Sequence, residues 1–169
     1  IESGTGAVSV GGTIGGTTKL SSLDINNPTQ GGSGTIQISS IGDSSVGTSG
    51  AVNIGNTTTA TLELDGSTYN TDGAQTYTAL EGYNLFMDGS GTATFTSSND
   101  DITFAEAIFD LGRDSSSPDL VINSNGGDII ASKGISGHSQ NDVTLNAGSG
   151  AITAGLISTG IGDVSLTAS

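Results

Sequence analysis

Apolar and polar residues alternate in short bursts along most of this chain. Val8–Val10 (VSV), Leu23–Ile25 (LDI), Ile36–Ile38 (IQI), Leu62–Leu64 (LEL), Val143–Leu145 (VTL) and Val164–Leu166 (VSL) each place an apolar side chain at every second position. That period of two belongs to a β-strand, whose successive side chains point to opposite faces. Further bursts occur at Thr35–Ile38, Ala51–Ile54, Ala60–Leu64, Gln75–Leu80, Tyr83–Met87, Thr92–Thr96, Ile102–Phe104, Leu120–Ile122, Asp128–Ala131 and Ala151–Thr153. All are short and bounded by Gly, Asn, Asp or Ser, which favour turns. Asp65-Gly66, Asp72-Gly73, Asp88-Gly89 and Asn125-Gly126 read as turns that need positive φ. No helix is predicted; the best stretch, Ala105–Leu111, is too short and lacks helical periodicity.

The bursts repeat. Gly127–Ala147 (GDIIASKGISGHSQNDVTLNA) aligns with Gly150–Ala168 (GAITAGLISTGIGDVSLTA), both ending in D-V-[TS]-L-x-A. Gly6–Asn26 shows a similar frame that closes on Leu-Asp-Ile. A spacing of ~20 residues is that of stacked solenoid repeats. The expected fold is therefore all-β: a parallel β-helix spanning residues 1–169 as one segment, with about eight or nine coils and a length of roughly 40 Å. Val8, Val10, Leu23, Ile25, Ile36, Ile38, Leu62, Leu64, Val143, Leu145, Val164 and Leu166 are the predicted inward positions. A narrow interior needs only aliphatic residues, in keeping with 28 Gly, 4% aromatic residues and no Trp. The aromatics that exist gather between Thr68 and Leu111, where they are expected to fill wider coils; the competing reading is a carbohydrate-stacking face.

Regular alternation argues against disorder, which a Gly- and Ser-rich composition alone would suggest. Seventeen acidic residues against three basic ones give a net charge of −14, with no basic patch to meet nucleic acid or an anionic membrane surface. There is no Cys, hence no disulfide framework or thiolate metal site. No apolar run is long enough to insert into a membrane as a helix. Without an initiator Met or signal peptide, the chain reads as an excerpt or processed piece of something longer.

Several stretches resemble the repeat units of giant bacterial surface exoproteins, the filamentous haemagglutinin-like adhesins. They are GGTTKLSSLDI (Gly15–Ile25), TDGAQTYTAL (Thr71–Leu80), LFMDGSGTATFTSSNDDITFAEAI (Leu85–Ile108) and LVINSNGGDI (Leu120–Ile129). The resemblance covers nearly the whole chain. It implies a right-handed β-helix, secretion to the cell surface or medium, and a stalk or adhesive fibre. It carries no catalytic residues, and the family's N-terminal secretion domain has no counterpart here.

Candidate chemistry is sparse. NTDG (Asn70–Gly73), NDD (Asn99–Asp101) and SGHS (Ser136–Ser139) echo polygalacturonases, but the basic residues that would hold a polyuronate are missing. No enzymatic activity is expected, and His138 reads as a solvated loop residue. Asp100, Asp101, Asp110, Asp114 and Asp119 crowd within 20 residues and are the candidate calcium ligands, although neither the calcium nonapeptide nor an EF-hand loop is present. No other cofactor is expected. Asn56–Thr58 is an N-glycosylation sequon in form only.

The two termini also match. GDVSLTAS at the end, continued by IESGTGAVSVGG from the start, makes a longer version of DVTLNAGSGAITAG. Both ends look like ordinary coils without caps. The expected role is a structural repeat of a secreted bacterial fibre, sheath or adhesin stalk. Copies are expected to stack head to tail through Gly6, Val8 and Val10 on one side and Val164 and Leu166 on the other. The competing role is a glycan- or receptor-binding module that uses the irregular Thr68–Asp119 face.

Overall fold

A computed structural model describes residues 1–29, 31–43, 47–112, 118–138 and 140–169. These residues form strands and corners with no helix. In chain order the strands are β1 (Val8–Val10), β2 (Leu23–Ile25), β3 (Thr35–Ile38), β4 (Val52–Ile54), β5 (Thr61–Leu64), β6 (Thr68–Asn70), β7 (Gln75–Met87) and β8 (Thr92–Thr96). There follow β9 (Ile102–Leu111), β10 (Asp119–Asn123), β11 (Ile129–Ala131), β12 (Ile135–Gly137), β13 (Val143–Gly148), β14 (Ile152–Ala154), β15 (Ile157–Ser158) and β16 (Val164–Ala168).

All the strand pairings are parallel, and each links one coil to the next. Three faces result. Face A stacks β1, β3, β5, the ends of β7 and β9, β12 and β15, with inward residues in the register Val8–Ile36–Leu62–Leu85–Phe109–Ile135–Ile157. Face B stacks Ile14, Ile41, β6, β8, β10, β13 and β16. Face C stacks β2, β4, the starts of β7 and β9, β11 and β14. The chain visits A, B and C in turn. β7 and β9 run unbroken from C into A through register shifts, so A and C merge into one eleven-stranded sheet while B remains a separate five-stranded one.

The parallel β-solenoid is as the alternation predicts, but the coil count is not. Hydrogen-bonded partners on adjoining coils lie 21 residues apart near the C-terminus and 29 apart near the N-terminus. The chain makes five to six turns, not eight or nine. The reason is corner length: the link from Ile25 to Thr35 is long, whereas that from Ala154 to Ile157 is short. The terminal repeats, from which the spacing of ~20 was read, are the tightest coils in the molecule.

Alternation builds the core as expected. Ile25, Ile36, Ile38, Leu62, Leu64, Val143 and Leu145 are buried. The middle coils are filled by rings from all three faces. Tyr69 stacks on Phe95 at 4.4 Å, Tyr77 on Phe104 at 5.6 Å and Phe104 on Phe109 at 4.3 Å. Such pairs add roughly 0.5–1.5 kcal/mol each beyond their burial. Burial pushes the phenols of Tyr69 and Tyr77 up, which keeps both as neutral hydrogen-bonding groups. The Gly66 N–H donates to Tyr69 Oη, and Tyr77 Oη donates to the buried Gln75 Oε1. Gln75 Nε2 in turn donates to the carbonyls of Tyr69 and Thr96, so the ring cluster leaves its polar atoms satisfied.

The Asp-Gly corners do not work as predicted. None of Gly66, Gly73 and Gly89 adopts positive φ. At Gly73 a Cβ would lie 2.6 Å from the carbonyl carbon of Gly50 one coil below. Glycine is required there because backbones stacked coil on coil leave no room for a side chain. Of the four dipeptides expected to need positive φ, Asn125-Gly126 alone adopts it, at both residues.

Candidate functional site

The two ends of the solenoid are where inward-type residues meet solvent. Val164 and Leu166 stand in register over Val143 and Leu145, with the same orientation along the strand. Val143 and Leu145 are fully buried, whereas Val164 is 46% and Leu166 54% exposed. Nothing in sequence spacing separates these two pairs; the difference is that no coil of this chain covers β16. Ile161 and Leu156 are also exposed nearby. At the opposite end Val8, Val10, Ile14 and Leu23 are half-buried against the core, Gly6 is exposed and Ile1 is 59% exposed. Among the described residues β1, β14, β15 and β16 pair on one edge alone, and each leaves a row of backbone donors and acceptors on the other.

The structure sorts these end residues by face. Val8 and Val10 lie on face A, Val164 and Leu166 on face B. Ile1 occupies a rung of face C: its amino group donates to the Asp24 carbonyl and its own carbonyl accepts from the Asn26 N–H. The frame that linked Gly6–Asn26 with the C-terminal repeats is therefore out of phase. Leu23–Ile25 belongs to face C, not to the face of Val143–Leu145.

The acidic candidates do not converge. Asp101 lies at the entrance to face C, Asp119 at the entrance to face B, and Asp110 is buried on face A; Asp114 lies outside the described residues. Among the described residues no group of three or more His, Cys, Asp or Glu side chains could hold a metal ion. Several of these aspartates do something else. The Asp142 N–H donates to Asp119 Oδ1 at 3.0 Å and the Asp163 N–H to Asp142 Oδ1 at 2.8 Å. On the neighbouring corner the Asp128 N–H donates to Asp101 Oδ1 and the Ala151 N–H to Asp128 Oδ1, both at 2.8 Å. Each carboxylate clips its coil to the amide above, a charge-assisted bond. The signal was present in the sequence as an Asp recurring just before successive strands, in NDDIT, GGDII, PDLVI, NDVTL and GDVSL.

Other candidates are also placed. His138 is not a free loop residue: its Nε2 contacts Asp110 Oδ1 on the preceding coil. Asp72 pairs with Lys19 at 2.8 Å, on a corner distant in the coil from His138, so the polygalacturonase-like strings do not form one site. Asn56 is buried and its amide donates to the carbonyls of Asn26 and Gly32, which rules out the sequon as an accessible acceptor. Tyr69, Tyr77, Phe86, Phe95, Phe104 and Phe109 are buried and offer no platform to a sugar; Tyr83 is exposed. It lines a shallow groove of about 190 Å³ with Lys133, Ser136 and Leu156. On face A, Gln37 Nε2 bridges Glu63 Oε1 and Asp65 Oδ2. Burial and the neighbouring Asp65 and Asp88 push the Glu63 carboxyl up.

Comparison of the chain with family models, with curated proteins and with solved structures finds no match.

Proposed function

We propose that this chain is a structural β-solenoid unit of an extracellular or cell-surface fibre, sheath or stalk, and that copies assemble end to end. The observation that carries the reading is the unbroken parallel register of the coils, in which Val164 and Leu166 continue the columns of Val143 and Leu145. Open strand edges over an apolar interior are strongly prone to pair, and a head-to-tail contact of unlike ends does not close, so it yields filaments. The net charge of −14 makes copies repel one another, which opposes lateral clumping. Resemblance to haemagglutinin-like repeats supports the surface location and a right-handed coil, the hand that parallel crossovers favour. Catalysis and a resident metal have no part in this reading.

Light scattering and negative-stain microscopy of the purified chain test it. The expected result is rods that lengthen with concentration at constant width. A monomer at every concentration and salt level would overturn it. Exposed Tyr83, with Lys133 and Ser136 beside it, favours glycan binding as the second reading. Glycan capture lost in Tyr83→Ala, without rod formation in the parent chain, would put that reading first.

A further inference from the structure

We propose that the outer side of face B binds a linear, uncharged polysaccharide, seated in a cavity between Asp43 and the strands β6 and β8. The cavity measures about 330 Å³ and is lined by Asp43, Thr68, Asn70, Thr94 and Thr96. It lies on interior coils: β6 is bridged to Ile41 below and β8 is paired with β10 above. It is therefore independent of how copies associate, and it is on a different face from the Tyr83 groove.

The floor of the cavity is rigid and its hydroxyls are available. Tyr69 and Phe95 alternate with the lining residues along β6 and β8 and stack on each other inside the core at 4.4 Å, which holds both strands in place. The wall is pinned as well, since Asn70 Nδ2 donates to the Asp43 carbonyl at 2.8 Å. The hydroxyls of Thr68, Thr94 and Thr96 make no hydrogen bond to another described residue. Each offers a donor and an acceptor in a position set beforehand, so little ordering cost is left for binding. The pattern continues along the face. Val121 and Thr144 stand in register above Thr94, and Asn123 and Asn146 above Thr96, at the ~4.8 Å spacing of neighbouring strands. A polymer of like units lying along the solenoid axis meets similar groups at each coil, whereas a single small molecule uses the cavity alone. Charge selects the kind of polymer. Neither column carries an ionisable residue, while the matching columns carry Glu63 and Asp110 on face A and Asp24 on face C. Asp119 and Asp142 border the face B columns and repel an acidic chain. The lining has no aromatic or large aliphatic side chain against which an apolar ligand could bury, so sugar hydroxyls are the groups that fit these uncharged donors and acceptors.

Affinity electrophoresis tests the site, in native gels cast with a neutral β-glucan, a neutral galactomannan or polygalacturonate, each compared with a gel without polysaccharide. The expected result is retardation of the parent chain by at least one neutral polysaccharide and none by polygalacturonate. Thr94→Val/Thr96→Val removes two hydroxyls, keeps the side-chain shape and suits a strand, so the fold is retained. It is expected to weaken retention by about tenfold. Thr76→Val/Thr103→Val makes the same change on the outer side of face C and is expected to leave retention unchanged. Should the face B pair lower the melting temperature, the single Thr68→Val takes its place. No retardation by either neutral polysaccharide overturns the proposal, as does retention by polygalacturonate instead. Unchanged retention in the face B variants, or equal loss in the face C pair, overturns it too. Loss in Tyr83→Ala with the face B variants unaffected moves glycan binding to the Tyr83 groove and overturns the face B site alone. Rod formation, read separately by light scattering, bears on the assembly reading and not on this site.

Discussion

Leu145 and Leu166 form a built-in comparison. They are the same residue, on the same face, in direct register on adjoining coils, with full burial at one and 54% exposure at the other. Truncating a fully buried Leu to Ala removes its transfer free energy and leaves a cavity, at a cost of about 2–5 kcal/mol. Leu145 is clamped between Ile122 below and Leu166 above, so its surroundings have little freedom to collapse and about 3 kcal/mol is expected. Leu166 loses about half as much transfer energy and leaves no enclosed cavity, which brings Leu166→Ala to roughly 1 kcal/mol. In a solenoid each coil contacts its neighbours alone, so the end substitution frays the last coil and the interior one breaks the array. Urea denaturation of dilute, monomeric protein followed by circular dichroism measures both. With m of ~2 kcal/mol/M, Leu145→Ala lowers the midpoint by about 1.5 M and Leu166→Ala by about 0.5 M. Repeating the measurement on assembled rods brings the Leu166→Ala cost up toward that of Leu145→Ala. Equal costs in the monomer would refute the placement of β16 as an uncovered end coil. An unchanged Leu166→Ala cost in the rods would refute burial of Leu166 by a second copy.

Two further outcomes follow from the corners and from face A. Gly73→Ala, whose Cβ would press on the Gly50 backbone, is expected to cost on the order of 2 kcal/mol or more, while Gly11→Ala, with open space around it, stays within about 0.5 kcal/mol; thermal melts decide, and equal shifts would count against stacked corners. Glu63 is held above the ordinary carboxyl range, first by burial and then by Asp65. Folding therefore favours its protonated form, and that contribution is fully present below the unfolded pKa and lost as pH rises through the folded one. Glu63→Gln keeps an acceptor for Gln37 and removes the charge, so it raises the melting temperature at pH 7 and loses this advantage below about pH 4. A gain that is the same at both pH values would show that the charge is not its source.

The strands, their inward residues and the parallel solenoid were legible in the sequence, because alternation with a period of two is local and each burst carries its own turn residues. So was the register of the last two coils, where short corners leave Val143 and Val164 in matching frames. What the sequence left open was which face each burst serves. Val8–Val10, Ile36–Ile38 and Val143–Leu145 share one pattern of three residues, and only pairing across more than 20 residues assigns the first two to face A and the third to face B. Corner length sets that assignment, and corners are built from Gly, Ser and Thr, which are nearly interchangeable in sequence. The same long-range step separated aspartates that are close in sequence, placing Asp101, Asp110 and Asp119 on three faces as backbone clips and a hydrogen-bond partner of His138 instead of one cation site. It also gave Gly73 its reason, which is the coil below it, a neighbour 23 residues away that no local rule can see. Local chemistry determined that this chain makes short strands with one apolar side; stacking, which depends on where each coil closes, decided which side chains meet and which remain open at the ends.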